Sequence, residues 1–119
     1  MTTSANAYSL DYFAFSNNSC GVVAFSKYGD VFRFQDACSD GRGVRLQATV
    51  PTTSTGTPST SDPKWTKDYT LGATGLNWDN AFVYNRDFTE NACFFMRAGL
   101  VDNGSYVSGS YGAWKLACA

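Results

Sequence analysis

Short segments in which apolar and polar residues alternate recur along the chain, with turn-forming residues between them. This period of two is typical of a half-buried β-strand, and no segment sustains the 3.6-residue period of an amphipathic helix. The predicted strands are Tyr8–Phe15, Cys20–Ser26, Val31–Asp36, Val44–Val50, Trp65–Leu71, Leu76–Tyr84, Cys93–Val101 and Ala113–Cys118. We therefore expect one all-β domain over 1–119, an antiparallel β-sandwich of about eight strands.

The segment 51–63 interrupts this pattern. It contains all three prolines of the chain, and its other residues are Ser, Thr, Gly and Asp. Such a segment has almost nothing to bury, so it predicts a long exposed loop inside the domain. We expect this loop to cross between two halves of the fold.

The four cysteines are placed symmetrically about two predicted turns. Residues that face each other in an antiparallel hairpin have numbers with a constant sum. Cys20 and Cys38 are centred on Gly29, and Cys93 and Cys118 are centred in the Ser- and Gly-rich turn that follows Val101. This symmetry favours the disulfides Cys20–Cys38 and Cys93–Cys118 over the other two connectivities.

The same sums predict individual cross-strand neighbours. They are Ala24 with Phe34, Ser26 with Phe32, Phe95 with Leu116, and Arg97 with Trp114. The last pair would place a cation on an aromatic ring. Three phenylalanines, at 32, 34 and 95, are predicted to point into the core.

Composition and charge exclude several classes of function. The chain has no His, which rules out Ser-His-Asp and Cys-His catalysis and every imidazole metal site. Its net charge is −1, so it lacks the basic surface expected of a protein that binds nucleic acid or an anionic membrane. No apolar run approaches the length of a transmembrane helix. We expect neither a nucleic acid nor a membrane as partner.

The cysteine content and polar composition indicate an oxidising compartment. Four Cys in a small chain rich in Ser, Thr, Asp and Gly are typical of exported proteins. The first six residues lack the basic and apolar regions of a signal peptide. We therefore expect a mature secreted domain that carries an added initiator methionine.

Two stretches of the sequence carry a family resemblance. The first is Val22–Phe34 with the following Gln35–Val44, in the pattern aromatic-x-x-Tyr-Gly-Asp-x-Phe, then Asp, then Asp-Gly-x-Gly-Val; the second is Cys93–Arg97 with Trp114. Together they resemble a group of small secreted Streptomyces-type proteins of actinobacteria. The resemblance implies a secreted β-sandwich without an assigned activity and a role in surface or carbohydrate association. The 51–63 loop is longer than that group leads us to expect.

Acidic residues suggest two chemistries, neither of which the spacing requires. A calcium loop over 36–47 would have Asp36 and Asp40 but also Cys38 at a ligand position and Gln47 in place of the final Glu, so an Asp-Gly turn is favoured. A looser cation site at Asp30, Asp36 and Asp40 stays open. We predict no metal and no cofactor.

Carboxylate pairs are the basis of the enzymatic alternative. A small glycoside hydrolase would use Asp79, Asp87 or Glu90, which lie near aromatic residues. Aspartates of β-proteins usually lie in turns, so we expect a protein that is not an enzyme.

Aromatic residues in polar surroundings carry the leading hypothesis. The predicted ligand-binding residues are Trp65, Trp78, Tyr106, Tyr111 and Trp114. Tyr and Trp offer a large contact area at low entropic cost, and the Ser and Gly around Tyr106 and Tyr111 let the backbone adapt. We expect a non-catalytic secreted module that binds carbohydrate or an extracellular protein. The second non-catalytic hypothesis is a structural extracellular protein that self-associates through its edge strands.

Overall fold

The computed structural model describes residues 10–52, 56–70 and 81–119, which form nine β-strands and no helix. The strands are β1 (Tyr12–Phe15), β2 (Gly21–Ser26), β3 (Val31–Asp36), β4 (Gly43–Thr49), β5 (Lys64–Tyr69), β6 (Phe82–Asn85), β7 (Cys93–Asp102), β8 (Ser105–Tyr106) and β9 (Lys115–Cys118). None of the described residues belongs to a helix that is long and apolar enough to cross a membrane.

The strands form two antiparallel sheets, as predicted for an all-β sandwich. The four-stranded sheet has the order β1-β2-β3-β6, and the five-stranded sheet has the order β5-β4-β7-β8. β9 pairs with the first residues of β7 and β8 pairs with its last, so both lie along the same edge of that long strand. The residues between β8 and β9 therefore lie beside the middle of β7.

The core lies between the two sheets and is built by alternation along the strands. Phe25 and Phe32 of the first sheet meet Phe94 of the second, with ring centroids 5.1 and 5.9 Å from that of Phe94. All three side chains are fully buried. Burying a side chain of this size contributes about 1.5–3 kcal/mol each, so this aromatic cluster holds the two sheets together.

Both predicted disulfides are present, and one predicted register is confirmed. Cys20 is bonded to Cys38 and Cys93 to Cys118. Cys93 faces Cys118 directly, and Phe95 faces Leu116 two residues further along. The second disulfide thus joins β7 to β9 at the position that the symmetry argument gave.

The predicted register of the first hairpin is wrong by one residue. Ala24 faces Arg33, not Phe34, and Ser26 faces Val31, not Phe32. The connection is the four-residue loop 27–30, whose last two residues both have positive φ. Because this loop has an even number of residues, the numbers of facing residues add up to an odd number, and the predicted sum was even.

A small offset reconciles the disulfide with this register. The carbonyl of Cys20 accepts a hydrogen bond from Ala37 N at 2.7 Å, so Cys38 lies one residue beyond its opposite position. The Cα atoms of Cys20 and Cys38 are still only 5.0 Å apart, which a disulfide spans.

Phe95 also differs from its prediction. Phe32 and Phe34 are buried in the core, but Phe95 lies on the outer face of its sheet, opposite Leu116. Phe94 occupies the core instead. Alternation along β7 dictates this result, because Phe95 must share a face with Arg97.

The loop between β4 and β5 does not cross between the sheets. These two strands are direct neighbours, and at the base of the loop Val50 N donates to Pro63 O at 2.8 Å. The segment 51–63 is therefore a long hairpin connection. Its length alone did not distinguish this from a crossover, because an antiparallel pair accepts a loop of any length.

Two predicted segments differ in extent. β8 falls in a region predicted as turn, and its two residues pair with the end of β7. Of the strand predicted at Leu76–Tyr84, the described part begins at residue 81, and β6 there extends one residue further, to Asn85.

Candidate binding face

The outer face of the five-stranded sheet collects aromatic rings and charged side chains. Alternation in β4, β5 and β7 places one set of side chains outward, and the segment from β8 to β9 lies against them. We call this set the aromatic–arginine face; it comprises Arg45, Gln47, Asp68, Arg97, Tyr106, Tyr111 and Trp114.

Four of these side chains form a continuous stack. The rings of Tyr106 and Tyr111 are nearly parallel, with centroids 4.5 Å apart and an interplanar angle of 23°. The guanidinium carbon of Arg97 lies over the Tyr111 ring at 4.0 Å and over the Trp114 ring at 4.2 Å. A cation–π contact contributes about 0.5–1 kcal/mol at an exposed site, so the two rings hold Arg97 in place.

A glycine in β7 makes room for this stack. A Cβ added at Gly99 would lie 2.7 Å from Cδ1 of Tyr111, so only glycine lets that ring lie so close to the sheet. The residues on either side of Tyr111 are fixed to β7 by hydrogen bonds. Leu100 N donates to Ser110 Oγ at 2.9 Å, and Gly112 N donates to Ala98 O at 3.0 Å. Tyr111 is therefore held by backbone contacts as well as by its ring neighbours.

Polar partners fix the two arginines of the face. Arg97 Nε donates to Gln47 Oε1 at 2.7 Å. Arg45 forms a two-pronged pair with Asp68, from Nε to Oδ1 at 2.8 Å and from Nη2 to Oδ2 at 2.9 Å. The bonds to Asp68 raise the pKa of Arg45. Burial raises the pKa of Tyr111, opposed by the nearby charges of Arg45 and Arg97.

The structure brings together three of the five residues predicted to bind ligand. Tyr106, Tyr111 and Trp114 share the aromatic–arginine face, and the predicted contact of Arg97 with Trp114 is confirmed. Trp78 lies outside the described residues. Its contribution stays a prediction.

Trp65 lies apart from this face. Its side chain points from β5 into the space between the sheets. The centroid of its ring lies 5.6 Å from that of Phe32, which it meets edge-on, and 6.2 Å from that of Tyr84. The guanidinium of Arg86 covers it at 4.2 Å. Its Nε1 atom is buried without a hydrogen-bond partner among the described residues. Trp65 therefore packs at the core margin, although it was predicted to bind ligand.

The carboxylates predicted for the enzymatic alternative do not share a described cleft. Asp87 and Glu90 are both exposed, and Asp79 lies outside the described residues. The cleft that includes Glu90 is lined by no other described carboxylate side chain, and its walls come from the β2–β3 loop and the residues around Cys118.

The aspartates considered as cation ligands accept hydrogen bonds from backbone N–H groups. Asp40 Oδ1 accepts a hydrogen bond from Arg42 N at 3.0 Å, and Gly41 between them has a φ of 73°. Asp30 Oδ2 accepts from Phe88 N at 2.9 Å. The predicted Asp-Gly turn is confirmed, and within the described ranges no three acidic or Cys side chains are grouped to hold a metal ion.

A polar cleft of about 690 Å³ lies at one end of the sandwich. It runs between the β3–β4 connection and the β7–β8 turn and is lined by Asp36, Arg42 and Asn103, among others. Burial raises the pKa of Asp36, and Asp40 adds to this, whereas the bond from Cys38 N opposes it.

Sequence reasoning missed Arg45, Gln47 and Asp68. The signal was present in the alternation of β4, whose even positions Val44 and Leu46 enter the core. Placing Arg45 beside Asp68 also required the pairing of β4 with β5 across the long loop.

Comparison with known proteins adds no relative, because no family model, no curated protein and no solved structure matches the chain.

Proposed function

We propose that this protein is a non-catalytic secreted module that binds carbohydrate through the aromatic–arginine face. The observation that carries the proposal is the stack of Tyr106, Tyr111, Arg97 and Trp114 on the outside of a sheet. Tyr106 is exposed and Trp114 is half-buried, so both keep surface for a ligand.

The chemistry of the stack suits a sugar. A pyranose ring presents C–H groups on its faces and hydroxyls around its rim. Aromatic rings contact the faces, whereas the guanidinium of Arg97 and the amide of Gln47 offer donors and an acceptor for the rim. These side chains already hold each other in the free protein, so binding costs little conformational entropy.

The disulfides support the extracellular part of the proposal. Both pairs of cysteines are bonded, and the chain has no other Cys. Disulfides persist in oxidising compartments and are rare in the cytosol.

Binding to insoluble glycans tests the proposal. The oxidised protein is incubated with chitin, cellulose, peptidoglycan and bacterial cell walls, and the protein left in solution is measured. We expect depletion by at least one matrix and release by the matching soluble oligosaccharide.

Matched variants locate the site. Trp114→Ala and Tyr106→Ala should abolish depletion, because each removes a ring from the stack. Tyr28→Ala is the control, since Tyr28 is 77% exposed in the β2–β3 loop and belongs to no described stack. If a matrix removed all three variants from solution equally, binding would lie elsewhere on the protein. If no matrix removed the wild-type protein from solution, carbohydrate would no longer be a candidate ligand.

Self-association is the second candidate function, with a second copy of this chain as the partner. Phe15 and Leu116 are about half exposed and line one groove of about 520 Å³ together with Trp114. Large apolar side chains that share an exposed groove are typical of an interaction surface. The groove is therefore the surface through which two copies would meet.

A further inference from the structure

We infer that the carbohydrate bound by the aromatic–arginine face is anionic, and that Arg97 binds its carboxylate, sulfate or phosphate groups. This inference rests on the proposed function and adds the class of ligand. It follows from the local charge, from the hydrogen bonds of Arg97 and from the rigidity of its guanidinium.

The local charge of the face is opposite to that of the whole chain. The chain carries a net charge of −1. On the face, however, Arg45 and Arg97 are accompanied by the single carboxylate of Asp68, and Lys64 Nζ lies 6.0 Å from the centroid of the Trp114 ring. The nearby Asp62 accepts a hydrogen bond from Ser59 N in its own loop. Three cations and the two carboxylates of Asp62 and Asp68 leave a net positive charge at the face.

Arg97 has hydrogen-bonding capacity that the described protein does not use. Within the described ranges the one ion pair joins Arg45 to Asp68, so the charge of Arg97 has no carboxylate partner there. Its Nε donates to Gln47, but no hydrogen bond within those ranges uses either Nη atom. Neither Nη atom is among the buried side-chain atoms without a partner, so both reach solvent.

The open end of this guanidinium matches an oxyanion. Two Nη groups in one plane donate in parallel to two oxygens of a carboxylate, sulfate or phosphate. The rings of Tyr111 and Trp114 and the bond to Gln47 already fix that plane. A neutral sugar would leave the charge uncompensated, whereas an anionic sugar would gain a charge-assisted contact beside its ring contacts.

Paired charged and neutral polysaccharides test the inference. Titration calorimetry would compare polygalacturonate (carboxylate), dextran sulfate (sulfate) and a phosphorylated mannan (phosphate) with neutral galactan, dextran and mannan. We expect at least one anionic polymer to bind about tenfold or more tightly than its neutral counterpart at about 20 mM NaCl, and the difference to shrink at about 300 mM NaCl. Which pair shows the difference identifies the anionic group.

Variants of Arg97 separate charge from packing. Arg97→Met keeps a long apolar side chain between the rings, and it should lower the affinity for the anionic polymer to that for its neutral counterpart. Arg97→Lys should restore part of the preference, since it keeps the charge but not the planar fork. Lys27→Met is the matched control; it removes one positive charge from the exposed β2–β3 loop and should leave the preference intact.

The outcomes distinguish this inference from the proposed function. Equal affinity for charged and neutral polymers, lost in Trp114→Ala, would overturn the anionic preference and keep the binding face. A preference for anionic polymers that Lys27→Met reduces as much as Arg97→Met would show general ion exchange and overturn the role of Arg97. Absence of binding to every polymer would overturn the anionic preference, and together with no depletion by any insoluble glycan it would overturn the proposed function as well.

Discussion

At the scale of single residues, the two described tryptophans of the predicted site differ in what they contact. Trp65 packs against Phe32 and Tyr84 at the core margin. Trp114 lies on an outer face beside Arg97. We therefore expect Trp65 to contribute mainly to folding and Trp114 to be available to a ligand.

Alanine substitutions should separate these roles. Trp65→Ala should lower the free energy of unfolding by about 3 kcal/mol, because it leaves a cavity beside buried Phe32. Trp114→Ala should lower it by about 1 kcal/mol or less and abolish glycan binding. Urea denaturation and the depletion assay measure the two effects.

Trp65→Phe serves as the control for ring packing. The Trp65 Nε1 donor is buried without a described partner, so phenylalanine removes a polar group whose burial is unfavourable. We expect most of the stability lost in Trp65→Ala to return. If Trp65→Ala instead abolished binding at unchanged stability, Trp65 would belong to a binding site.

Asp36 should make stability depend on pH. Its folded pKa lies above the ordinary value of 3.8, mainly because burial disfavours the charged form. Its contribution is therefore fully present below pH 3.8 and is lost as the pH rises through the folded pKa. Asp36→Asn should raise the urea midpoint at about pH 7, and this gain should vanish at about pH 3, as the same linkage requires.

The asparagine variant keeps the local hydrogen bond. Its amide oxygen still accepts from Cys38 N, which the carboxylate does at 3.3 Å. Asp87→Asn, at an exposed site, is the control and should show no such gain. A lower midpoint for Asp36→Asn at neutral pH would mean that the ionised carboxylate stabilises the fold.

At the scale of elements, the two disulfides hold different sheets. Cys20–Cys38 joins the residue before β2 to the segment after β3, and Cys93–Cys118 joins β7 to β9, the strand that directly follows Trp114. Their sequence separations are 18 and 25 residues. Chain-entropy arguments give about 3 kcal/mol for each closed loop, so their removal should cost similar stability.

Only one of the two should affect binding directly. The double variant Cys93→Ala/Cys118→Ala should weaken glycan binding at a temperature where it is still folded, because β9, whose first residue follows Trp114, loses its covalent attachment to β7. Cys20→Ala/Cys38→Ala, with a similar loss of melting temperature, should bind normally. Circular dichroism melts and calorimetric titration of the same samples compare the pairs. Equal loss of binding in both would attribute it to stability alone.

The same elements show how far a sequence predicts this fold. Strands, turns and disulfides follow from local alternation and cysteine symmetry, and the β7–β9 register is correct at Phe95 and Leu116. The β2–β3 register fails because two consecutive positive-φ residues, Gly29 and Asp30, lengthen the loop by one position relative to the assumed turn. Backbone conformation of this kind is set by the closed hairpin and is only weakly encoded by residue type.

The candidate site is predictable to a similar extent. Tyr106, Tyr111 and Trp114 were recognisable from their polar surroundings, and Arg97 from its place opposite Trp114. Arg45 and Asp68 meet only because β4 and β5 pair across the loop at 51–63, which is a non-local contact. The packing of Trp65 at the core margin is not predictable from the sequence for a related reason, since its neighbours Phe32 and Tyr84 come from the other sheet.

At the scale of the whole molecule, the groove that contains Phe15 and Leu116 adjoins the aromatic–arginine face. Trp114 lines this groove and also covers Arg97, so a partner in the groove would compete with a ligand on the face. The net charge of −1 offers little repulsion between copies. Self-association and glycan binding are therefore expected to exclude each other.

Sedimentation over a range of concentrations tests this coupling. If the groove binds a second copy, the wild-type protein should form dimers as its concentration rises, and Leu116→Lys should keep it monomeric by placing a charge in the contact. The exposed position of Leu116 predicts an effect on stability within about 0.5 kcal/mol. Val83→Lys is the matched control, because Val83 is similarly exposed on β6 of the other sheet. Soluble glycan should also dissociate the wild-type dimer, since both partners need Trp114. A protein that stays monomeric at every concentration would remove self-association as a function of the groove. A dimer that glycan leaves intact would show that the groove and the face act independently.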